Sequence, residues 1–181
     1  MLTETPDADF SAQAIPFTLP DLGGELVSLA DVLGPNGVVV AFICNHCPYV
    51  IAIIDRLVED ASELRGVGVN MVAIMSNDYE NYPEDGPEKM RAFAAKHGMT
   101  FPYLLDQTQE VAQAYGAVCT PDFFGYSAAG VLQYRGRIDN IGVKGSGQRV
   151  PELVNAMKVI AKQKEVPKIQ SPSIGCSIKW R

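Results

Sequence analysis

The stretch VVVAFICNHCP, residues 38–48, decides how the chain folds. Its first six residues are apolar and mostly β-branched, a pattern typical of a strand that is buried on both faces of a sheet. Pro48 suits the first turn of a helix, and apolar residues then repeat at helical spacing from Val50 to Leu64. The pattern therefore places Cys44 and Cys47 between a buried strand and the N-terminus of a helix.

The spacing of Cys44 and Cys47 predicts a redox-active pair. Because a helix N-terminus stabilises negative charge, it favours the thiolate, which is the reactive form of cysteine. A protonated His46 between the two cysteines would add to this effect. We expect Cys44 to form the mixed disulfide with a partner and Cys47 to resolve it.

Two other interpretations of the pair stay open at this point. Free cysteines are often packed in cores as small apolar residues. A zinc site is the second alternative, but zinc takes about four ligands. No second paired spacing exists among the remaining candidates, which are His46, His97, Cys119 and Cys176. We therefore predict that the chain holds no metal ion and no other cofactor.

Composition limits the range of functions. The chain has 181 residues, of which 47% are hydrophobic, enough for one sizeable core. Its net charge of −6, without a cluster of Lys and Arg, argues against nucleic acid as a partner. The sequence shows neither a signal-peptide pattern nor an apolar run of membrane-spanning length, so we expect a cytoplasmic protein with no membrane partner. Four cysteines are too few for a disulfide-stapled scaffold.

The rest of the chain alternates predicted strands and helices, which favours the α/β class. Predicted elements are hairpins at 17–29 and 123–134, strands at 69–75 and 100–105, helices at 87–96, 107–115 and 151–163, and a solvated acidic loop at 76–86. We therefore expect one redox domain over residues 1–163 and a C-terminal tail, residues 164–181, packed on it.

Three short motifs, together with this order of elements, resemble the thioredoxin superfamily. They are Cys44-Asn45-His46-Cys47-Pro48-Tyr49 after a buried strand, Ser76-Asn77-Asp78 followed by Tyr82-Pro83-Glu84-Asp85, and Thr120-Pro121 before the next strand. Over about residues 15–163 the chain is more narrowly similar to the peroxiredoxin-like branch of alkyl hydroperoxide reductase/thiol-specific antioxidant type. The resemblance implies an α/β thioredoxin-like fold, with a central mixed β-sheet flanked by helices, an N-terminal β-hairpin and an extended C-terminal tail.

The same resemblance implies which residues face the cysteine pair. A cis bond between Thr120 and Pro121 would let Thr120 offer its backbone to a bound thiol partner. Cys119 would lie in that loop as a substrate contact or a third redox thiol, unless it is only a buried apolar residue. Cys176 in the tail is a candidate resolving cysteine, for its own chain or for a partner.

Two departures from the family patterns bear on the reaction. Thioredoxins carry a buried acid where this chain has Val38, and the pair Asn45-His46 is similar to that of oxidising, disulfide-forming proteins. In the peroxiredoxin pattern Cys47 takes the peroxidatic place. That family also has an arginine near the facing proline, whereas the nearest arginines here, Arg135 and Arg137, lie in the following strand or turn.

We therefore predict a thiol-disulfide oxidoreductase that uses the pair Cys44 and Cys47. The rival prediction is a thiol peroxidase in which Cys47 attacks and Cys44, Cys119 or Cys176 resolves. A third is a non-enzymatic protein that senses redox state or holds a metal. The expected partners are disulfides of proteins or small molecules, peroxide in the rival case, and a dithiol electron donor.

Overall fold

The computed structural model describes residues 1–164, 166 and 168–181, so residues 165 and 167 of the predicted tail lie outside it. The strands of the described residues are β1 Leu2–Glu4, β2 Thr18–Pro20, β3 Leu26–Ser28, β4 Gly37–Phe42, β5 Val69–Met75, β6 Tyr103–Leu105, β7 Cys119–Thr120, β8 Asp122–Ser127, β9 Leu132–Tyr134 and β10 Ile174–Ser177. The helices are α1 Leu29–Val32, α2 Pro48–Ile51, α3 Ile54–Arg65, α4 Pro87–Lys96, α5 Glu110–Tyr115 and α6 Glu152–Ala161, with 3₁₀ turns at Pro83–Asp85 and Gly142–Lys144.

Strand β4 lies at the centre of the main sheet, and all of its residues are therefore buried. It pairs antiparallel with β8, starting with Gly37 opposite Ser127, and β9 continues the sheet on that side. On its other side β4 lies beside β5, where the amide of Ile43 donates to the carbonyl of Ile74, and β5 pairs with β6 in parallel. The predicted mixed sheet is therefore confirmed.

Alternate residues of β4 point to opposite faces of the sheet and enter separate cores. Val39 packs in one core with Leu57 of α3 and Met157 of α6. Val40 packs in the other core with Tyr115 of α5. Burial on both faces fixes the position of β4, and the residues that directly follow this strand are fixed with it.

The helix after the cysteine pair differs from the prediction. Its apolar spacing predicts one helix from Pro48 to Leu64, whereas the structure has two, α2 and α3, with Ala52 and Ile53 between them. The amide of Ile53 donates to Val50, three residues back, so the chain tightens there and α2 ends. Among the described residues, no helix has both the length and the apolarity needed to cross a membrane.

A second, short sheet contains the first and the last strand of the described residues. Strand β10 lies between β1 and β7 and is antiparallel to both. Cys176 stands opposite Leu2 on one side and opposite Thr120 on the other. The predicted N-terminal hairpin is present as β2 and β3, but a strand in the tail was not predicted.

Candidate functional site

Cys44 and Cys47 lie where the chain passes from β4 to α2. Cys47 is the N-cap residue of α2, and Pro48 is its first helical residue. The two cysteines are only 1% and 0% exposed. All four cysteines of the chain are free in this structure.

Thr120 contacts both sulfurs of the pair. Its peptide bond to Pro121 is cis, as the resemblance implies. The Thr120 Oγ1 lies 3.3 Å from the Cys44 Sγ, and the Thr120 carbonyl oxygen lies 3.1 Å from the Cys47 Sγ, which donates to it in the thiol form. The loop between β7 and β8 therefore forms one wall of the site.

Apart from the bond to the Thr120 carbonyl, which only the thiol can make, the hydrogen bonds around Cys47 favour its thiolate. A hydrogen bond from Cys44 is the main cause that lowers the pKa of Cys47 to about 4, against the opposing effect of burial. The backbone amides of Cys176 and Val50 and the hydroxyl of Thr120 lower it further. Because these donors come from four separate segments, the complete fold is needed to form this environment.

The surroundings of Cys44 favour its protonated thiol. Its hydrogen bond to Cys47, burial and the negative charge of Asp85 all raise the pKa of Cys44 well above its usual range. The sequence analysis expected the Cys44 thiolate to be the stabilised one, with His46 beside it. The structure differs because Cys44 donates to Cys47, and because His46 faces a carboxylate.

His46 and Asp85 form a polar pair beside the cysteines. The His46 Nδ1 lies 2.7 Å from the Asp85 Oδ2, although the two atoms are not aligned for a hydrogen bond. The side chain of Asp85 is fully buried, while that of His46 is 29% exposed. Asp85 also accepts from the Asn45 amide and the Asn77 side chain, each at 2.8 Å.

Sequence reasoning missed Asp85, because the acidic loop at 76–86 was expected to be solvated. The usable signal was Asn77, two residues after the apolar run of β5, since polar groups at the end of a buried strand need partners. Its amide nitrogen donates to Asp85, and its carbonyl oxygen accepts from the backbone of Lys179. The loop therefore connects the site to the tail.

One group of the described residues has the chemistry of metal ligands. Ligand atoms of Cys44, His46 and Asp85 all lie within 4.8 Å of one another. Both oxygens of Asp85 already accept hydrogen bonds from protein donors, and the Cys44 sulfur is hydrogen-bonded to Thr120. We therefore interpret Asp85 and Cys44 as engaged with protein groups, and the absence of a metal stays a prediction.

The remaining predicted residues are engaged elsewhere or lie close to the pair. Burial raises the pKa of Cys119, whose thiol donates to the carbonyl of Pro121 at 3.5 Å. Arg135 pairs with a buried carboxylate of β8 at 3.0 Å, and Arg137 with a carboxylate of α6 at 2.7 Å. Cys176, in contrast, stands opposite Thr120, which contacts both sulfurs of the pair.

The sequence relatives of this chain include proteins named as peroxiredoxins and one named as a thiol-disulfide oxidoreductase. The sequence profile of the AhpC/TSA family matches residues 10–141. A protein of Mycobacterium tuberculosis H37Rv, provisionally named a peroxiredoxin, is 30% identical over 141 residues, covering 78% of this chain and 85% of the relative. The thiol-disulfide oxidoreductase ResA of Halalkalibacterium halodurans is 29% identical over 104 residues, covering 58% of this chain and 54% of ResA.

Solved structures are similar over much of the chain. An uncharacterized conserved protein from Geobacillus kaustophilus superposes with a TM-score of 0.95 at 42% identity, covering 100% of this chain and 97% of the other. The thioredoxin domain of a thiol-disulfide oxidoreductase from Bacteroides vulgatus superposes at 0.60 with 18% identity, covering 71% and 89%. The second likeness concerns the fold alone, and the predicted thioredoxin-like fold is confirmed.

Proposed function

This chain belongs to the AhpC/TSA family, and from that premise we propose that it is a thiol-disulfide oxidoreductase whose reactive thiolate is Cys47. The observation that carries the proposal is that Thr120 contacts the Cys44 sulfur at 3.3 Å and the Cys47 sulfur at 3.1 Å, while the pKa of Cys47 is lowered and that of Cys44 is raised. Dithiol exchange begins when a thiolate attacks a disulfide, and a neighbouring thiol then loses its proton and resolves the product.

In the proposed cycle, the Cys47 thiolate attacks one sulfur of a disulfide substrate, and the other sulfur leaves as a thiolate. Cys44 then loses its proton and attacks the Cys47 sulfur. This step releases the second substrate thiol and leaves a disulfide between Cys44 and Cys47. A dithiol electron donor restores both thiols. The roles of the two cysteines are thus opposite to those expected from the sequence.

His46 is suited to accept the proton of Cys44. A ring nitrogen of His46 lies within 4.8 Å of the Cys44 sulfur, and the buried Asp85 carboxylate beside it would stabilise the imidazolium. The position at which thioredoxins have an acid is Val38 here, which is fully buried and apolar. The proton acceptor would therefore come from the loop after β4 instead.

A thiol peroxidase is the second candidate, and the burial of Cys47 favours it. A sulfur that is 0% exposed is accessible to a molecule as small as hydrogen peroxide more readily than to a protein disulfide. Peroxide cleavage also needs donors to the peroxide oxygens. Because the guanidinium groups of Arg135 and Arg137 are paired with carboxylates, the oxidoreductase remains our first proposal.

Reaction of the fully reduced protein with oxidised glutathione, and separately with hydrogen peroxide, tests the two candidates. We expect Cys47→Ser to abolish disulfide exchange and Cys44→Ser to retain the initial attack on glutathione disulfide. A peroxide rate far above that of a free thiol, lost only in Cys47→Ser, would make the protein a peroxidase. Full exchange by Cys47→Ser would refute both assignments.

The partners follow from this chemistry as part of the proposal. Substrates would be disulfides of proteins or small molecules, or peroxide in the second case, and a dithiol would supply electrons. ResA, one of the sequence relatives, is named a thiol-disulfide oxidoreductase, which supports disulfide substrates. A cytoplasmic location, expected from the sequence patterns, belongs to the same proposal.

A further inference from the structure

We propose that Arg56 is a positioning residue of the redox centre, which holds the short helix α2 in place and thereby sets the spacing of Cys44 and Cys47. The inference rests on the proposed function, in which Cys44 attacks the Cys47 sulfur to complete the exchange. It deepens that function by assigning the geometry of this step to a side chain that touches neither sulfur.

The break between α2 and α3 leaves the helix of Cys47 in need of support. Helix α2 has only four residues, and Ala52 and Ile53 separate it from α3. A single helical turn is not stable by itself in water. Contacts with other segments must therefore set its direction.

Hydrogen bonds within α2 connect its two ends. The Cys47 carbonyl accepts from the amide of Ile51 at 2.9 Å, and the Pro48 carbonyl accepts from the amide of Ala52 at 3.0 Å. Ala52 is thus tied through one helical turn to the reactive cysteine. A displacement of Ala52 would therefore carry Cys47 with it.

The guanidinium of Arg56 spans the break. Arg56 is the third residue of α3, and its Nη1 donates to the carbonyl of Ala52 at 3.1 Å. The last carbonyls of a helix have no partner within the helix, so here a side chain supplies one. Its Nη2 donates to the carbonyl of Gly142 at 2.6 Å, and its Nε to the Asp139 carboxylate at 2.8 Å. One planar group therefore joins the end of α2, the start of α3 and the loop after β9.

Asp139 is a firm anchor for Arg56. Its side chain is fully buried, and it also accepts from the amide of Gly142 at 2.9 Å and from the Arg149 Nε at 2.8 Å. Arg149 in turn makes two hydrogen bonds to the buried Asp60 of α3, at 2.9 Å and 2.6 Å. Because these bonds hold Asp139 from several directions, they also hold the guanidinium of Arg56 in one place.

A shift of α2 would separate the two sulfurs. Cys44 lies two residues after the end of β4, which burial on both faces fixes, so its position does not depend on α2. Cys47 is the N-cap of α2 and moves with that helix. The attack of Cys44 on the Cys47 sulfur is sensitive to such a shift, because a misplacement of about 1 Å can slow a reaction about 100-fold.

Reaction of the reduced protein with oxidised glutathione separates the two steps of the exchange. Attack by Cys47 attaches one glutathione to the protein, and attack by Cys44 releases it. Acid quenching and mass spectrometry of the intact protein follow this mixed disulfide over time and give both rates. We expect Arg56→Ala to slow the release about 100-fold. The attachment should slow much less, because an external disulfide adjusts its approach to a displaced Cys47, whereas Cys44 cannot.

Two further variants separate positioning from other effects. Arg65→Ala is the matched control, since Arg65 ends the same helix and donates to the carbonyl of Thr100, so the release should keep its rate. Arg56→Lys keeps the positive charge opposite Asp139 but lacks the planar fork, so it should also slow the release. Urea unfolding checks that each variant is folded, and Arg56→Lys keeps the inference testable if Arg56→Ala does not fold.

Three outcomes would overturn the inference alone. The first is release at the native rate in Arg56→Ala, and the second is equal slowing of attachment and release in that variant. The third is the native rate in Arg56→Lys, because the charge opposite Asp139 would then be sufficient. If the native protein attaches no glutathione and forms no disulfide, the proposed function fails, and this inference fails with it.

Discussion

Replacing Cys44 with alanine should raise the pKa of Cys47, because it removes the main interaction that stabilises the thiolate. The hydrogen bond from Cys44 is the largest cause of the lowered pKa of Cys47, about 4. A hydrogen bond to a charged group contributes about 1.5–3 kcal/mol, which corresponds to about 1–2 pKa units. We therefore expect Cys44→Ala to move the pKa of Cys47 to roughly 5–6. Cys44→Ser, whose hydroxyl still donates, should give a smaller rise.

The ultraviolet absorption of the thiolate measures this change in the reduced protein. The pKa values of Cys44, Cys119 and Cys176 are raised, so these thiols stay protonated while Cys47 titrates. A single step is expected between about pH 3 and pH 8, and circular dichroism at each pH checks that the fold persists. A midpoint near the value of a free cysteine, about 8.5, would refute the reasoning. The same midpoint in Cys44→Ala and the native protein would refute it too.

Three further substitutions test the site and its supports. His46→Gln should slow the resolving step about 100-fold, because it removes the proton acceptor of Cys44. The pKa of Cys47 should stay unchanged. His97→Gln is the control, and equal slowing in both variants would contradict the role of His46 as proton acceptor. Arg149→Ala should lower the free energy of unfolding in urea by about 3 kcal/mol, because it removes the arginine that pairs with the buried Asp60 carboxylate and one of the two arginines that pair with Asp139. Lys158→Ala, which breaks an exposed ion pair, should cost at most about 1 kcal/mol. Similar losses of stability in Lys158→Ala and Arg149→Ala would show that burial does not set the energy of these ion pairs. Tyr103→Phe should cost about 1 kcal/mol in the same assay, because the buried hydroxyl donates to the side-chain oxygen of Asn45 at 2.9 Å. An unchanged stability would show that this bond contributes nothing.

The parts of the fold that could be predicted are those set by local patterns. Strand β4 follows from an unbroken apolar run, and the hairpin of β8 and β9 follows from turn residues between two apolar segments. The placement of Cys44 and Cys47 between β4 and a helix follows from the same run. These features depend on neighbours in sequence, which a single sequence displays.

The parts that could not be predicted depend on residues far apart in the chain. Strand β10 has four residues and pairs with β7, more than fifty positions earlier, so its own composition carries little signal. The burial of Asp85 depends on Asn45 and Asn77, which belong to other segments. For the same reason the pKa order of the two cysteines could not be seen, because the donors to Cys47 come together only in the folded chain.

Strand β10 also covers the main-chain groups of Thr120, which would otherwise form an open strand edge. Open edges pair with strands of other molecules and promote aggregation. Removing the chain from Ile174 onward would therefore do more than delete Cys176. It would leave an unpaired strand edge beside the cysteine pair, and the protein would aggregate more readily. Strand β10 therefore also protects this edge of the short sheet from pairing with another copy.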